Sequence, residues 1–298
     1  MLNPWAPPRA DLVRETFESA HFAAVLDRLL MLAPGTRLLD LGCGDGLIAW
    51  LGGARLDAYV GVDLFPPDDL PAVRTDLRHG LGPAASEPFD IYLGTFGIAS
   101  HLAPSELQAL LGEIAASAAP GAIVALEGLG LWSLEWPRVW DKPPGDERTL
   151  PYRLSGDVSV HPWAPRELHA LFAKAGIQFL GALDRTVQAG PKSGDPRYWP
   201  GTPPLRAGLA QLLRGDPRGR EVLEARLAPL PAHRAARFHH ALASARAEIA
   251  RRRRDLGEVE LAHAVWNLEP RGGIGIGHGL LGVGRVVANA AANLDVGA

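Results

Sequence analysis

Asp40, Gly42, Gly44 and Gly46 recur at every second position of Leu38-Leu39-Asp40-Leu41-Gly42-Cys43-Gly44-Asp45-Gly46. A glycine-rich turn directly after an apolar run lets the backbone fold tightly, and it admits a ligand where a Cβ would otherwise stand. Asp63 ends the next apolar run, Tyr59-Val60-Gly61-Val62-Asp63, 17 residues after Gly46. A carboxylate there can accept hydrogen bonds from both hydroxyls of a ribose. These residues suit the binding of a nucleoside. A dinucleotide-binding loop needs G-x-G-x-x-G. Counted from Gly42 and Gly44, the last glycine would fall on Leu47, so that pattern fails.

The pattern instead resembles motif I of the class I S-adenosylmethionine-dependent methyltransferases, Asp/Glu-x-Gly-x-Gly-x-Gly, with all four positions filled. The resemblance extends in order along residues 37–127. Thr75-Asp76-Leu77, 13 residues after Asp63, resembles the third motif, and Phe89 to Thr95 the fourth. Ile98 to Leu102 resembles the His-Leu segment of many small-molecule members, and Pro120-Gly121 the turn before the fifth strand. It implies a Rossmann-like, seven-stranded, mostly parallel sheet with helices on both faces. It also implies S-adenosyl-L-methionine as cofactor and S-adenosyl-L-homocysteine as product. The implied cofactor-binding residues are Asp40, Gly42, Cys43, Gly44, Gly46, Asp63, Leu64, Asp76, Leu77 and Thr95. Asp76 would accept from the adenine amino group, and Leu77 would offer its N–H to the ring.

Methyl transfer from a sulfonium is an in-line displacement, so alignment and exclusion of water are the main demands. A base helps when the acceptor is a hydroxyl or a protonated amine. The resemblance puts His101 at the rim of the pocket, as that base or as a histidine bonding backbone. Glu127 is either a site carboxylate or a structural one; His161 and His278 have less to support them. Nothing resembles the acidic cluster of magnesium-dependent catechol methyltransferases, so no metal is expected.

The elements that must position these groups follow from hydrophobic periodicity. Residues 10–32 carry Phe17, Phe22, Val25, Leu26 and Leu29 at helical spacing, and Pro34-Gly35 stops that helix. Short apolar runs at 37–41, 59–63, 89–93 and 122–127 read as strands, with helices at 47–51 and 105–119, the latter capped by Ser105. A helix over 165–174, ended by Gly176, leads to a strand at 177–180, and a last strand is expected at 262–268. The expected organisation is a cofactor-binding core at 1–128, a Trp/Pro-rich insertion at 129–160, a core helix and strand at 161–189, an arginine-rich helical insertion at 190–257, and the final strand with a glycine-rich tail at 258–298. The 190–257 insertion is expected to form a lid. Trp132, Trp136, Trp140 and Trp163 either line an acceptor pocket or pack the insertions. The run Gly272 to Gly279 has the look of a phosphate-cradling loop but lacks its lysine and Ser/Thr.

The chain has 298 residues, 30 basic and 33 acidic, and a single cysteine, Cys43, which excludes an intrachain disulfide or cysteine zinc cluster. Its apolar fraction of 47% excludes intrinsic disorder. Pro4, Pro7, Pro8 and Asp11 break any signal-peptide run, and no apolar stretch spans a bilayer, so a soluble cytoplasmic protein with no membrane partner is expected. Residues 1–150 hold 10 basic against 20 acidic side chains, and residues 151–298 hold 20 against 13. The excess lies in 201–257, ending in Arg251-Arg252-Arg253-Arg254, and reads first as a solvated helix face. The function expected is methylation of an O or N atom of a small molecule. The alternatives are an RNA or DNA methyltransferase using the basic insertion, and a non-catalytic cofactor-binding scaffold. Phe238 is the one aromatic in the arginine-rich helices, where base stacking would want several.

Overall fold

Leu38 and Leu39 are neighbours in the chain, both fully buried, and they face opposite sides of one sheet. That alternation is the period of a strand covered on both faces. The computed structural model describes residues 11–154 and 156–287. Its strands are β1 (Arg37–Leu41), β2 (Ala58–Asp63), β3 (Ala72–Arg74), β4 (Ile91–Gly94), β5 (Ile123–Leu129), β6 (Leu150–Arg153), β7 (Asp157–Val160), β8 (Ile177–Arg185) and β9 (Gly279–Val286). Seven of them form a sheet in the order β3-β2-β1-β4-β5-β9-β8. β1 to β5 pair in parallel, and β9 runs antiparallel between β5 and β8. This is the expected Rossmann-like architecture.

The helices are α1 (Ser19–Leu32), α2 (Leu47–Gly52), α3 (Pro104–Ser117), α4 (Pro165–Lys174), α5 (Leu205–Leu213), α6 (Arg218–Glu224), α7 (Arg234–Arg252) and α8 (Glu258–Trp266). Phe22, Val25, Leu26 and Leu29 of α1 pack with Ile48 of α2 against Leu38, Ile91, Leu93 and Ile123. Leu107, Leu110, Leu111 and Ile114 of α3, with Leu168 and Phe172 of α4, cover Leu39, Leu41, Tyr92 and Val124 on the other face. Helices α5 to α8 lie between β8 and β9 and build a satellite core with Val13 and Phe17, whose ring stacks on Trp266 at 4.6 Å. No helix of the described residues is long and apolar enough to cross a membrane.

Several expectations are corrected. Residues 262–268 are not a strand. Gly257 caps α8, Glu258 and Glu260 occupy its first turn, and Leu261, Ala262, Val265 and Trp266 form its buried face. The last strand is β9, inside the segment read as a tail; residues 288–298 of that tail lie outside the described residues. Its glycines serve close packing: a Cβ on Gly284 would meet Phe172 Cδ1 at 2.6 Å, and one on Gly279 would meet Glu127 Oε1 at 2.6 Å. The 129–160 insertion contains a hairpin, β6 paired with β7. Ser105 does not cap α3. Ala103 does, with Glu106 accepting its N–H at 2.7 Å. The first helix opens with a π-helical turn, Arg14–Glu18, before α1 begins.

Candidate active site

The strand order reverses between β1 and β4, because β1→β2→β3 runs outward in one direction and β4 returns on the other side. In open sheets of this kind ligands bind at the carboxyl ends of the strands beside that reversal. The glycine loop leaves β1 there. Gly42, Gly44 and Gly46 all have left-handed φ, +75°, +53° and +79°, a conformation that costs a side-chain-bearing residue energy. Gly42 N–H donates to Val62 O at 2.7 Å and Gly46 N–H to Cys43 O at 2.9 Å, while Gly46 begins α2. A Cβ on Gly42 would strike Ile98 Cδ1 at 2.8 Å, whereas one on Gly44 would meet nothing closer than Gly42 O at 3.9 Å. The space beside Gly44 is a cradle that a side chain would fill.

Asp63 closes that cradle. Its Oδ2 accepts from Gly44 N–H at 3.0 Å and its Oδ1 from Phe65 N–H at 2.8 Å. Two backbone donors fix the carboxylate and leave further lone pairs for two more donors. Leu64 follows it, half-buried. Cys43 sits behind the loop, where burial pushes its thiol up to about 12, so it packs and does not react. Asp40 is 1% exposed, and its Oδ2 accepts from Tyr59 Oη at 2.8 Å. Burial raises its carboxyl to about 7 against that hydrogen bond, with Asp63 and Asp45 adding to the rise. Asp45 is held from outside by Arg14, both nitrogens of which reach it at 2.9 Å.

Asp76 and Leu77 follow β3. Leu77 is buried, and the Asp76 carboxylate is engaged by Arg78 Nε at 2.9 Å, which holds it below the usual carboxylate range. Thr95 is buried at the end of β4. Phe96 follows with φ +52°, a left-handed bulky residue, its ring between Arg14 and Arg185 at 4.8 and 5.2 Å. Thr186 after β8 has φ +55°. Strained side-chain-bearing residues of this kind concentrate at functional sites, and both lie at this edge of the sheet.

His101 ends the 3-10 turn Ile98–His101 that follows β4, and its ring stands edge-on to Tyr152 at 6.5 Å. Burial depresses its pKa to about 4, so the imidazole is neutral at neutral pH and a weak proton acceptor. Glu127 is structural. It is fully buried, and Arg185 Nε and Nη2 reach it at 3.0 and 2.5 Å. Arg185 also reaches Glu18 at 2.8 Å, and Arg206 joins Glu18 to Asp11. The network ties the N-terminal turn, β5, β8 and α5 together. Trp136, Trp140 and Trp163 are buried, each indole N–H bonded to a backbone carbonyl, which is packing. His161 lies behind Trp163, with its backbone bonded to Ser100.

The glycine run at 272–279 cradles a protein carboxylate. Asp184 accepts N–H groups from Ile274, Gly275 and Gly277 at 2.6, 3.0 and 2.9 Å. His278, at its end, bonds Glu135 through Nδ1 and Tyr152 Oη through Nε2 at 3.1 Å. Arg14, Glu135, Tyr152 and Arg185 escaped the sequence reading, because their partners lie between 31 and 167 residues away in the chain.

No protein-family model matches the chain, and no curated protein matches it. Similar solved structures include a SAM-dependent methyltransferase from Archaeoglobus fulgidus, 14% identical over 92% of this chain and 98% of that one, TM-score 0.44. The SAM-bound amino pentose methyltransferase CalS10 of Micromonospora echinaspora is 18% identical over 60% of this chain and 93% of its own, TM-score 0.43. DesVI of Streptomyces venezuelae is 17% identical over 60% and 90%, TM-score 0.45. At these identities and TM-scores, what those proteins bind and act on stays with them.

Proposed function

We propose that the chain is an S-adenosylmethionine-dependent methyltransferase acting on an O or N atom of a small molecule. The observation that carries this reading is the Gly44–Asp63 cradle: a turn with glycine at every second position at the sheet's reversal point, closed by a carboxylate with lone pairs to spare. In this reading Gly42, Gly44 and Gly46 admit the amino-acid end of the cofactor, and Asp63 accepts from its ribose hydroxyls. Leu77 and Asp76 stand on the adenine side, with Arg78 sharing the Asp76 carboxylate. Thr95 stands at the reacting end. When bound, the cofactor would supply a methyl group on a sulfonium, an electrophile that needs alignment more than activation.

The chain's own residues would do the rest. Phe96 and the paired Arg14 and Arg185 wall the edge of the site and exclude water. Helices α5 to α7 are assigned as the acceptor lid, anchored by Arg206 to Asp11 and Glu18. His101 belongs to the acceptor side as a neutral hydrogen-bonding group. The nucleic-acid alternative loses support from the arginine run. Arg252, Arg253 and Arg254 are paired with Glu248, Asp255 and Glu224, which cancels much of the charge a phosphate would meet. Calorimetric titration with S-adenosylmethionine and S-adenosylhomocysteine, with NAD as control, tests the proposal. Micromolar binding of the first two and none of NAD is expected; no binding of either would overturn it.

A further inference from the structure

Tyr152, His278 and Glu135 come from three separate segments and meet in the buried interior behind His101. Tyr152 rises from β6, His278 ends the glycine run before β9, and Glu135 lies in the insertion after β5. All three are almost fully buried. With a carboxylate against Nδ1, that nitrogen carries the imidazole proton, and Nε2 accepts from the Tyr152 hydroxyl. Glu135 is itself held by Lys192 N–H at 2.5 Å. Lys192 Nζ lies 4.2 Å from the centre of the Tyr152 ring. A carboxylate, an imidazole and a phenol aligned in this way can move a proton inward from the phenol oxygen without leaving a charge unpaired.

Tyr152 lies against the turn that follows β4. Its ring faces His101, which closes the turn after β4, and the carboxyl end of β4 is where the strand order reverses. Burial, with the Glu135 carboxylate adding to it, pushes the Tyr152 phenol well above its usual range against the pull of Arg185, so the phenol keeps its proton and can only pass one on as it gains another. His101 is a weak proton acceptor, so the edge has one neutral hydrogen-bonding group and one connected relay.

We propose that Tyr152 is the group that takes the proton from the methyl acceptor, with His278 and Glu135 as the residues that position and charge-balance it. The inference rests on the methyltransferase reading and narrows it: the acceptor is a hydroxyl or a protonated amine, a group that must lose a proton, and not a thiolate or carboxylate. As the acceptor–methyl bond forms and the methyl–sulfur bond breaks, the electron pair of that bond goes to sulfur. The acceptor's proton passes to Tyr152 Oη, as the bond forms for a hydroxyl and before attack for an ammonium, whose nitrogen has no free electron pair until then. The phenol's own proton passes to His278 Nε2, and Glu135 balances the imidazolium until solvent takes the proton.

The test needs no knowledge of the acceptor. Sinefungin carries an ammonium group where S-adenosylmethionine carries its methyl, so under this proposal that ammonium is the ligand group from which Tyr152 Oη would accept a hydrogen bond. The wild type is expected to bind sinefungin about tenfold or more tighter than S-adenosylhomocysteine, the worth of one charge-assisted hydrogen bond. Tyr152→Phe is expected to erase that ratio while leaving the affinity for S-adenosylhomocysteine within about twofold. A purely structural role for Tyr152 would move both ligands together. If the variant fails to fold, nitrogen-15 spectra of the wild type decide. The His278 imidazole nitrogen resonances, assigned by their loss in His278→Gln, should differ between the sinefungin and the S-adenosylhomocysteine complexes, because the added ammonium acts on the Tyr152–His278 hydrogen bond. An unchanged ratio in a folded Tyr152→Phe, or a His278 blind to which ligand is bound, overturns the relay and leaves the cofactor site standing. Failure of both ligands to bind overturns the methyltransferase reading, and the relay's role with it.

Discussion

Gly44 donates its backbone N–H to Asp63 Oδ2 at 3.0 Å, joining the turn after β1 to the carboxyl end of β2. The two residues are 19 apart in the chain, and the parallel pairing of β1 with β2, Leu41 opposite Val62, brings them together. The hydrogen bond orients a buried carboxylate and holds the turn open in the conformation only glycine adopts freely.

Asp63→Ala removes both that hydrogen bond and the acceptor proposed for ribose. S-adenosylmethionine affinity should fall about tenfold to a hundredfold, the range for hydrogen bonds to a charged group. Asp63→Asn should lose less, since one oxygen remains. Calorimetry on both variants checks the order, and an unchanged affinity in Asp63→Ala would remove Asp63 from the site.

Two glycines separate a binding effect from a packing effect. Gly44→Ala puts a methyl group into open space at φ +53°, so it should cost about 1–2 kcal/mol of stability and a disproportionate loss of cofactor affinity. Gly61→Ala places its Cβ 2.6 Å from Cys43 Sγ, inside the sheet. Overpacking there should cost about 1–3 kcal/mol and lower the melting temperature more clearly than the affinity of the surviving fold. Thermal melts beside titrations distinguish the two.

Asp40 makes stability fall as pH rises. Burial raises its carboxyl from 3.8 to about 7 in the folded chain, so between those values the folded state holds a proton that the unfolded state has released. The penalty grows from about pH 4 and levels off above about pH 7. Asp40→Asn keeps an acceptor for Tyr59 without the charge, so it should raise the melting temperature at pH 8 and do little at pH 5. A variant less stable than the wild type by the same margin at both values would contradict this assignment.

The glycine turn after β1 and its carboxylate partner were largely legible in the sequence because their geometry is local. Alternate glycines after an apolar run specify left-handed turns, and Asp63 sits at the end of the very next strand. Legibility ended where distant side chains decide. Ala262, Val265 and Trp266 fit a strand pattern as well as a helix, and the cap at Gly257 with Glu258 and Glu260 tips the balance toward α8. β9 carries glycines because Phe172, Glu127 and Arg185 occupy the space their side chains would need, and those residues come from other strands and helices. The Asp184 nest and the Glu135–His278 contact, 143 residues apart, leave no local mark at all.

The nest around Asp184 gives a stability prediction free of any ligand. Burial raises its carboxyl, while the N–H groups of the glycine run pull it down, so the charged form depends on those donors. Asp184→Asn turns an amide NH2 toward at least one N–H and leaves a buried donor unpaired, at a cost of about 1–3 kcal/mol. Amide hydrogen exchange should show faster exchange at Ile274, Gly275 and Gly277 than in the wild type. Unchanged protection at those three positions would mean the loop holds its shape without the carboxylate.

Arg185 holds two buried carboxylates at once. Against the burial that raises it, Arg185 and Arg206 hold Glu18 well below the usual carboxylate range, so its pairing supports the fold above about pH 4.5 and is lost as pH falls. Arg185→Met strands Glu127 and weakens Glu18's pairing, and losing one partner of a buried ion pair costs about 3–5 kcal/mol. In the variant the Glu18 carboxylate, left with Arg206 alone against its burial, should escape part of that cost by taking up a proton. Its deficit against the wild type should therefore be largest near pH 8 and shrink toward pH 5, where a double variant with Glu127→Gln should recover part of the loss at both values. Chemical denaturation of the three proteins at the two pH values measures this, and a deficit that does not depend on pH would show that Arg185 acts by packing against Phe22 and Phe96, and not through its charge.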